Sequence, residues 1–294
     1  SPLPFFCNPT WAFYKEKGPI CESRDQFQSG DSAMTPIENK HIVLTGANSG
    51  IGLEVLKLLL ERKGNIIFAV DLHIDAISSF DPSRVIPYMC DVSKPQNIDK
   101  LFEDAVSAMG SIDIFYANAG FAYYEELNYT DWARIENIFE TNTISPIYSY
   151  QKFVEYLDGR EGMFAITGSA MGFMGMPGFT LYSASKFAIT GFQESIRLEK
   201  PDNIHLITLF PVSTDTGFFK TASDVEFKKP YPVQSPDIVA KKMVKGMEKQ
   251  KKKVMPCTMF RFALVLFRIL PFVRTMYWNH EKKKFEDYKS KRDR

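Results

Sequence analysis

The stretch His41-Ile-Val-Leu-Thr45-Gly46-Ala47-Asn48-Ser49-Gly50-Ile51-Gly52 passes from a β-branched, apolar run straight into a glycine-rich turn. Ile51, Val55, Leu58 and Leu59 carry the spacing of one buried helical face, so a strand and a helix join here within a few residues. Glycines at 46, 50 and 52 permit that sharp turn and let the backbone come close to a bound group. The free N–H groups and positive end of the new helix then suit an anion such as a pyrophosphate. A plain strand-to-helix turn shows the same glycines, but the next apolar run, 66–70, leads directly to Asp71, 19 positions after Gly52. That is near the offset at which a carboxylate accepts hydrogen bonds from an adenosine ribose.

Working outward, strand-like runs at 66–70, 84–90, 112–118, 163–167, 204–210 and a short one at 253–255 alternate with helical patterns. The helical patterns lie at 51–63, 96–109, 131–157, 181–198 and 236–249. This alternation predicts an α/β fold, a doubly wound parallel sheet in a single domain over 40–256. Residues 1–39 then form an N-terminal extension, and 257–294 a basic, amphipathic C-terminal extension.

Of the 294 residues, 45% are hydrophobic and 24% charged, which excludes disordered and fibrous classes. The net charge of +1 hides an asymmetry: 241–294 hold 17 of the 36 Lys and Arg but 5 of the 35 Asp and Glu. The C-terminal end therefore favours an anionic partner, although no nucleic acid is expected. Four scattered cysteines, Cys7, Cys21, Cys90 and Cys257, form no C-x-x-C pair, and no histidines cluster at ligand spacing. A disulfide framework and a metal site are not expected, and a reducing, cytoplasmic setting fits. The greasiest stretch, 254–278, is interrupted by Arg261, Arg268, Pro271 and Arg274, so no membrane-spanning helix is expected. Residues 1–33 lack the pattern of a signal peptide.

Further along stand Ser169, at the end of a strand-like run, and Tyr182-Ser-Ala-Ser-Lys186 on a helix. Positions four apart share a helical face, so the phenol and the ammonium are neighbours. A nearby ammonium favours the phenolate, which predicts a Tyr182 pKa lowered from about 10 toward neutrality, as general acid–base work requires.

Together these residues resemble the classical short-chain dehydrogenases/reductases, and the resemblance covers 40–256. Thr45-Gly46-x-x-x-Gly50-x-Gly52, with Asn48, Ser49 and Ile51 inside it, is similar to the family's cofactor loop. Asp91-Val92 is similar to its adenine-contacting pair, and Asn118-Ala119-Gly120 to the turn after its fourth strand. Asn142 resembles the helix asparagine that holds a proton-relay water, and Ser169, Tyr182 and Lys186 resemble the catalytic Ser, Tyr and Lys. Pro211, Thr214 and Thr216 fall in the segment that frames the nicotinamide, where Val212 replaces the usual glycine. The resemblance implies that Tyr182 exchanges the substrate proton and Ser169 hydrogen-bonds the substrate oxygen. Lys186 would hold the nicotinamide ribose, and a proton would leave through Lys186 and a water at Asn142. It also implies a homodimer or homotetramer built on the helices near 131–157 and 181–198.

Asp71 repels a 2′-phosphate, and no Arg or Lys lies within 45–52 or in the five residues after Asp71, so NAD is the expected cofactor. Phe121, Tyr123 and Tyr124, then Met171, Phe173, Met174, Met176 and Phe179, then Phe218, Phe219, Phe227 and Tyr231 border the expected pocket. They predict an apolar substrate, a steroid, retinoid or lipid-like alcohol or ketone, unless they pack the core or an interface instead. Epimerase or lyase chemistry and a catalytically silent NAD-binding scaffold are the alternatives. Arg261 and Arg268 lie about 20° apart on a helix, so 260–270 could rest on a membrane surface with Phe262, Leu266, Phe267 and Ile269 buried in it. Packing of the same stretch on the domain as a substrate lid or dimer contact is the competing expectation.

Overall fold

The computed structural model describes residues 34–292, so most of the expected N-terminal extension lies outside the described residues. Six strands follow the alternation of the sequence: β1 His41–Thr45, β2 Ile66–Asp71, β3 Val85–Met89, β4 Ile114–Ala117, β5 Gly162–Thr167 and β6 Ile204–Leu209. β7 Ser213–Thr214 and β8 Val233–Gln234 pair only with each other, and β9 Lys253–Val254 closes the main sheet. That sheet is parallel throughout, with strand order β3-β2-β1-β4-β5-β6-β9. Its order reverses between β1 and β4, the place where open α/β sheets bind ligands.

Both faces of the sheet are covered, which is why its strands read as unbroken apolar runs. On one face α1 Gly50–Leu60 and α6 Pro236–Glu248 bury Val55, Leu56, Leu59, Val239 and Met243 against Leu44, Ile67 and Ile207. On the other lie α2 Pro95–Met109, α4 Ser145–Leu157 and α5 Thr180–Glu199, with Phe115 stacked between Phe102 at 5.0 Å and Phe164 at 5.5 Å. Each fully buried side chain of this size stabilises the fold by roughly 1.5–3 kcal/mol relative to exposure.

The single helix expected over 131–157 is instead three pieces: α3 Trp132–Phe139, a wider π turn at Glu140–Ile144, and α4. Pro146 has no N–H to give to the carbonyl four residues earlier, that of Asn142, so a regular α-helix cannot run through this point. The Asn142 side chain fixes the turn by donating to Phe121 O at 2.8 Å and to Ser185 Oγ at 3.1 Å.

After β9 the chain forms α7 Thr258–Ile269 and, restarting at Pro271, α8 Pro271–Arg292. α8 is tied to distant loops: Trp278 Nε1 donates to Gly175 O at 2.9 Å, and Tyr288 Oη donates to Tyr124 O at 2.9 Å. Lys289 pairs with Glu126 at 2.5 Å.

Candidate functional site

A cavity of about 600 Å³ opens at the carboxyl ends of β1, β2, β4, β5 and β6. At one end Gly46 turns with φ 67°, and Ser49 precedes α1 without capping it, which leaves the first N–H groups of the helix directed at the cavity wall formed by Ser49, Gly50 and Ile51. Gly52 allows this close approach, since a Cβ there would stand 1.9 Å from Gly46 O and 2.7 Å from Asn118 Nδ2. Asn118 joins three strand ends. Its Nδ2 donates to Thr45 O and Gly46 O, both at 3.1 Å, while its Oδ1 accepts from Thr167 Oγ1 at 2.9 Å.

Asp71 closes this end of the cavity. One carboxylate oxygen accepts from Asn48 N at 2.9 Å and the other from Leu72 N at 2.8 Å. Asn48 faces away, its Oδ1 accepting from Ala76 N and Ile77 N at 2.9 and 3.1 Å, so it braces the loop after β2. Gly46, Ser49, Gly50, Ile51, Asp71, Asp91, Val92, Asn118, Ala119 and Gly120 line the cavity, as do Ser169, Tyr182, Lys186, Pro211, Val212, Thr214 and Thr216. Of the sequence-predicted residues, Asn48, Gly52 and Asn142 stand behind that lining and shape it.

Midway along the cavity Tyr182 stands beside Ser169, whose Oγ accepts from Met171 N at 3.1 Å, and Lys186 Nζ donates to Thr167 O at 3.0 Å. Nζ lies 5.8 Å from the centre of the Tyr182 ring, so the two groups are neighbours as the helix spacing predicted. The electrostatic outcome differs from the expectation. Burial pushes the Tyr182 phenol up to about 12, against which the neighbouring Ser169 hydroxyl works, and burial brings the Lys186 ammonium down to about 8. Desolvation disfavours the charged form of each group and outweighs the helix neighbour. The Asn142 side chain makes three hydrogen bonds to the protein, accepting from Phe121 N at 3.0 Å in addition to its two donations.

The other end of the cavity is apolar. Phe121, Met171, Met174, Met176, Phe218, Phe219 and Tyr231 line it, as expected. Tyr123, Tyr124, Phe173, Phe179 and Phe227 instead pack behind, with Tyr124 stacked on Phe227 at 3.9 Å and Arg134 over the Tyr123 ring at 3.7 Å. Phe260, Ala263, Phe267 and Tyr277 complete this wall from α7 and α8. The sequence left 260–270 between a membrane face and a substrate lid or dimer contact; Phe260, Ala263 and Phe267 take the lid position, and Tyr277 was not expected at the pocket. Val212 belongs with them: buried, it packs in one cluster with Cys257 and Phe260, so the departure from glycine serves contact with α7.

Residues 40–226 match the model of the short chain dehydrogenase family. Over 204 residues the chain is 33% identical to the NADPH-dependent 1-acyldihydroxyacetone phosphate reductase of Saccharomyces cerevisiae, covering 67% of this chain and 66% of the yeast protein. It is 28% identical over 188 residues to the 3-ketodihydrosphingosine reductase of Mus musculus, covering 60% of this chain and 57% of the mouse protein. The match thus spans less than two thirds of either relative. The fold is shared with a short chain dehydrogenase/reductase of Burkholderia phymatum solved in complex with NAD, at TM-score 0.69 and 16% identity, covering 83% of this chain and 96% of that one. With the family match extending over more than half its length, the chain belongs to the short chain dehydrogenases.

Proposed function

We propose that this protein is an NAD-dependent oxidoreductase that interconverts a secondary alcohol and a ketone on an apolar, lipid-like substrate such as a steroid or retinoid. The observation that carries the reading is the single cavity in which Ser169, Tyr182 and Lys186 stand between a main-chain cradle and an apolar wall. The cradle fits a dinucleotide: it has an uncapped helix end for a pyrophosphate, a glycine whose Cβ would fill the approach, and a carboxylate at the end of β2. Gly46, Ser49, Gly50, Ile51, Asp71, Asp91, Val92, Asn118, Ala119 and Gly120 would hold the adenosine and pyrophosphate, and Pro211, Val212, Thr214 and Thr216 the nicotinamide. When bound, the nicotinamide supplies the hydride donor or acceptor.

The chain supplies the proton chemistry. Ser169 Oγ hydrogen-bonds the substrate oxygen. In reduction the Tyr182 hydroxyl gives its proton to that oxygen, and in oxidation the phenolate takes it back. With a pKa of about 8, Lys186 changes charge within the working range, and its protonated form favours the Tyr182 phenolate. Asn142 positions Gly120 and Phe121 beside Lys186, since a Cβ on Gly120 would lie 3.6 Å from Lys186 Nζ.

Asp71 supports NAD, because its carboxylate would face a 2′-phosphate with like charge. The names of the yeast and mouse relatives, reductases of 1-acyldihydroxyacetone phosphate and 3-ketodihydrosphingosine, support a substrate with a lipid chain. Exposed Ile144, Phe187 and Leu198 on the helices around the site support a homodimer or homotetramer. The deciding experiment is a nicotinamide absorbance assay with a panel of hydroxysteroids and long-chain secondary alcohols, with retinol as the primary-alcohol comparison. We expect turnover by the wild type, and for Tyr182→Phe a loss of at least about a thousandfold with cofactor binding retained. A variant keeping more than a few per cent of activity would refute the role given to Tyr182.

A further inference from the structure

We propose that the outward face of α7, with the first turns of α8, is a docking surface for an anionic lipid bilayer, and that the apolar end of the cavity opens beside it. Apart from Thr258 and the edge that carries Arg261 and Arg268, α7 is apolar, and its two apolar sides have different tasks. Phe260, Ala263 and Phe267 face the cavity, so Phe267 is not among the membrane-facing residues that the sequence suggested. The opposite side leaves Phe262 71%, Val265 58% and Ile269 69% exposed, and α8 continues the patch with Phe272 59% and Met276 65% exposed. Other large exposed apolar residues such as Trp132 and Leu198 lie far away in the sequence, whereas these five fall within 15 residues. Large apolar side chains left exposed this densely along the chain mark an interaction site.

Charge selects the occupant. From 249 to 280 the chain contains no Asp or Glu, yet it carries Lys251, Lys252, Lys253, Arg261, Arg268 and Arg274. Arg261 and Arg268, both exposed, flank the apolar side of α7 along one edge, about 20° apart around the helix, placed to reach phosphates while Phe262 and Ile269 enter the acyl boundary. A second copy meeting this face would bring cationic edges together, whereas an anionic headgroup layer neutralises them. α7 has 12 residues, and no helix among the described residues is long and apolar enough to cross a membrane, so the contact lies in the interface plane. Tyr231, on the cavity rim, places its hydroxyl 3.9 Å from the sulfur of Met259, which lines the cavity and is 45% exposed at the start of α7, so the cavity mouth lies at the helix that carries the docking face.

The docking surface stands apart from the redox reading; only its use as a substrate entrance rests on that reading. The test therefore measures binding without turnover, by co-sedimentation of the full chain with phosphatidylcholine vesicles with and without phosphatidylserine. Wild type should bind the phosphatidylserine vesicles, weakly or not at all the neutral ones, and release on raising salt. Arg261→Ala with Arg268→Ala should bind more than about tenfold more weakly, each cation near an anionic surface being worth about fivefold. Phe262→Glu with Ile269→Glu should abolish binding while its thermal melt and cofactor fluorescence stay those of wild type. Absence of binding to phosphatidylserine vesicles, or equal binding by wild type and the Glu variant, would overturn the proposal. So would light scattering that shows a dimer split by the Glu substitutions, which would assign the face to a second copy. Vesicle binding gained only on removal of residues 1–33 would assign it to that segment instead.

Discussion

At the β1–β2–β4 end of the cavity the wall is mostly main chain: glycine turns, the open N-terminus of α1, and strand ends held together by Asn118. At the far end it consists of Met, Phe and Tyr side chains from stretches as distant as Met171 and Tyr277. A ligand at the first end meets groups carried by short turns at the ends of neighbouring strands, from residues 46–51, Asp71, Asp91 with Val92, and residues 118–120. A ligand at the second meets a surface that exists only once four separate segments have assembled. The first end therefore tolerates few substitutions and defines one ligand class, while the second can vary in shape without disturbing the sheet.

This contrast can be broken most sharply at Gly52. Gly52→Ala places a Cβ 1.9 Å from Gly46 O, so α1 must move away from the turn, and NADH affinity measured by fluorescence should fall about a hundredfold. Unchanged affinity would mean that the main-chain cradle is not the dinucleotide site. A smaller effect is expected at Asp71: by calorimetry NAD should bind at least about tenfold more tightly than NADP, a difference of ~1.4 kcal/mol, and Asp71→Ala should remove most of that preference. At the apolar end Phe267→Ala should raise KM for a long-chain substrate by roughly fivefold through lost apolar contact, leaving NADH affinity as it was. A parallel loss of NADH affinity would show that the two ends are not separable.

The mildest effect concerns Lys186, where the two ends meet. Its folded pKa of about 8 lies below the usual 10.5, so the buried ammonium opposes folding fully below about pH 8. Between about 8 and 10.5 the unfolded chain binds the proton more strongly, and the native state gains stability as pH rises. Lys186→Met, which carries no charge, should melt a few degrees above wild type at pH 7, with the gap closing by pH 10. A gap that stays constant with pH would show that Lys186 is not buried as a charge.

Legibility in the sequence followed the same division. The strands and the cradle were readable because their signals are local: β-branched runs, glycines, and Asp71 at a fixed offset. The π turn at Glu140–Ile144 was not read, although Pro146 signalled it, because the apolar periodicity on either side continues in phase. The neighbourhood of Tyr182 and Lys186 was legible from their spacing, but the direction of the Tyr182 shift was not, since it depends on burial contributed by β5, α5 and the loops above them. The apolar wall was read in half. Its contributions from α7 lie near the end of the chain and reach the cavity only through the packing of Val212, Cys257 and Phe260.

The ties from α8 to Gly175, Tyr124 and Glu126 span 103, 164 and 163 positions of the chain. During synthesis β1 to β6 and the helices between them are complete once residue 209 has emerged, and domains form as their residues become available. The loops that carry Tyr124 and Gly175 must then wait for the last 20 residues before their partners exist. A nascent chain stalled at about residue 260 would hold its dinucleotide cradle and lack the side of its apolar wall that Ala263, Phe267 and Tyr277 supply, so the order of translation is also the order in which the two ends of the cavity are completed.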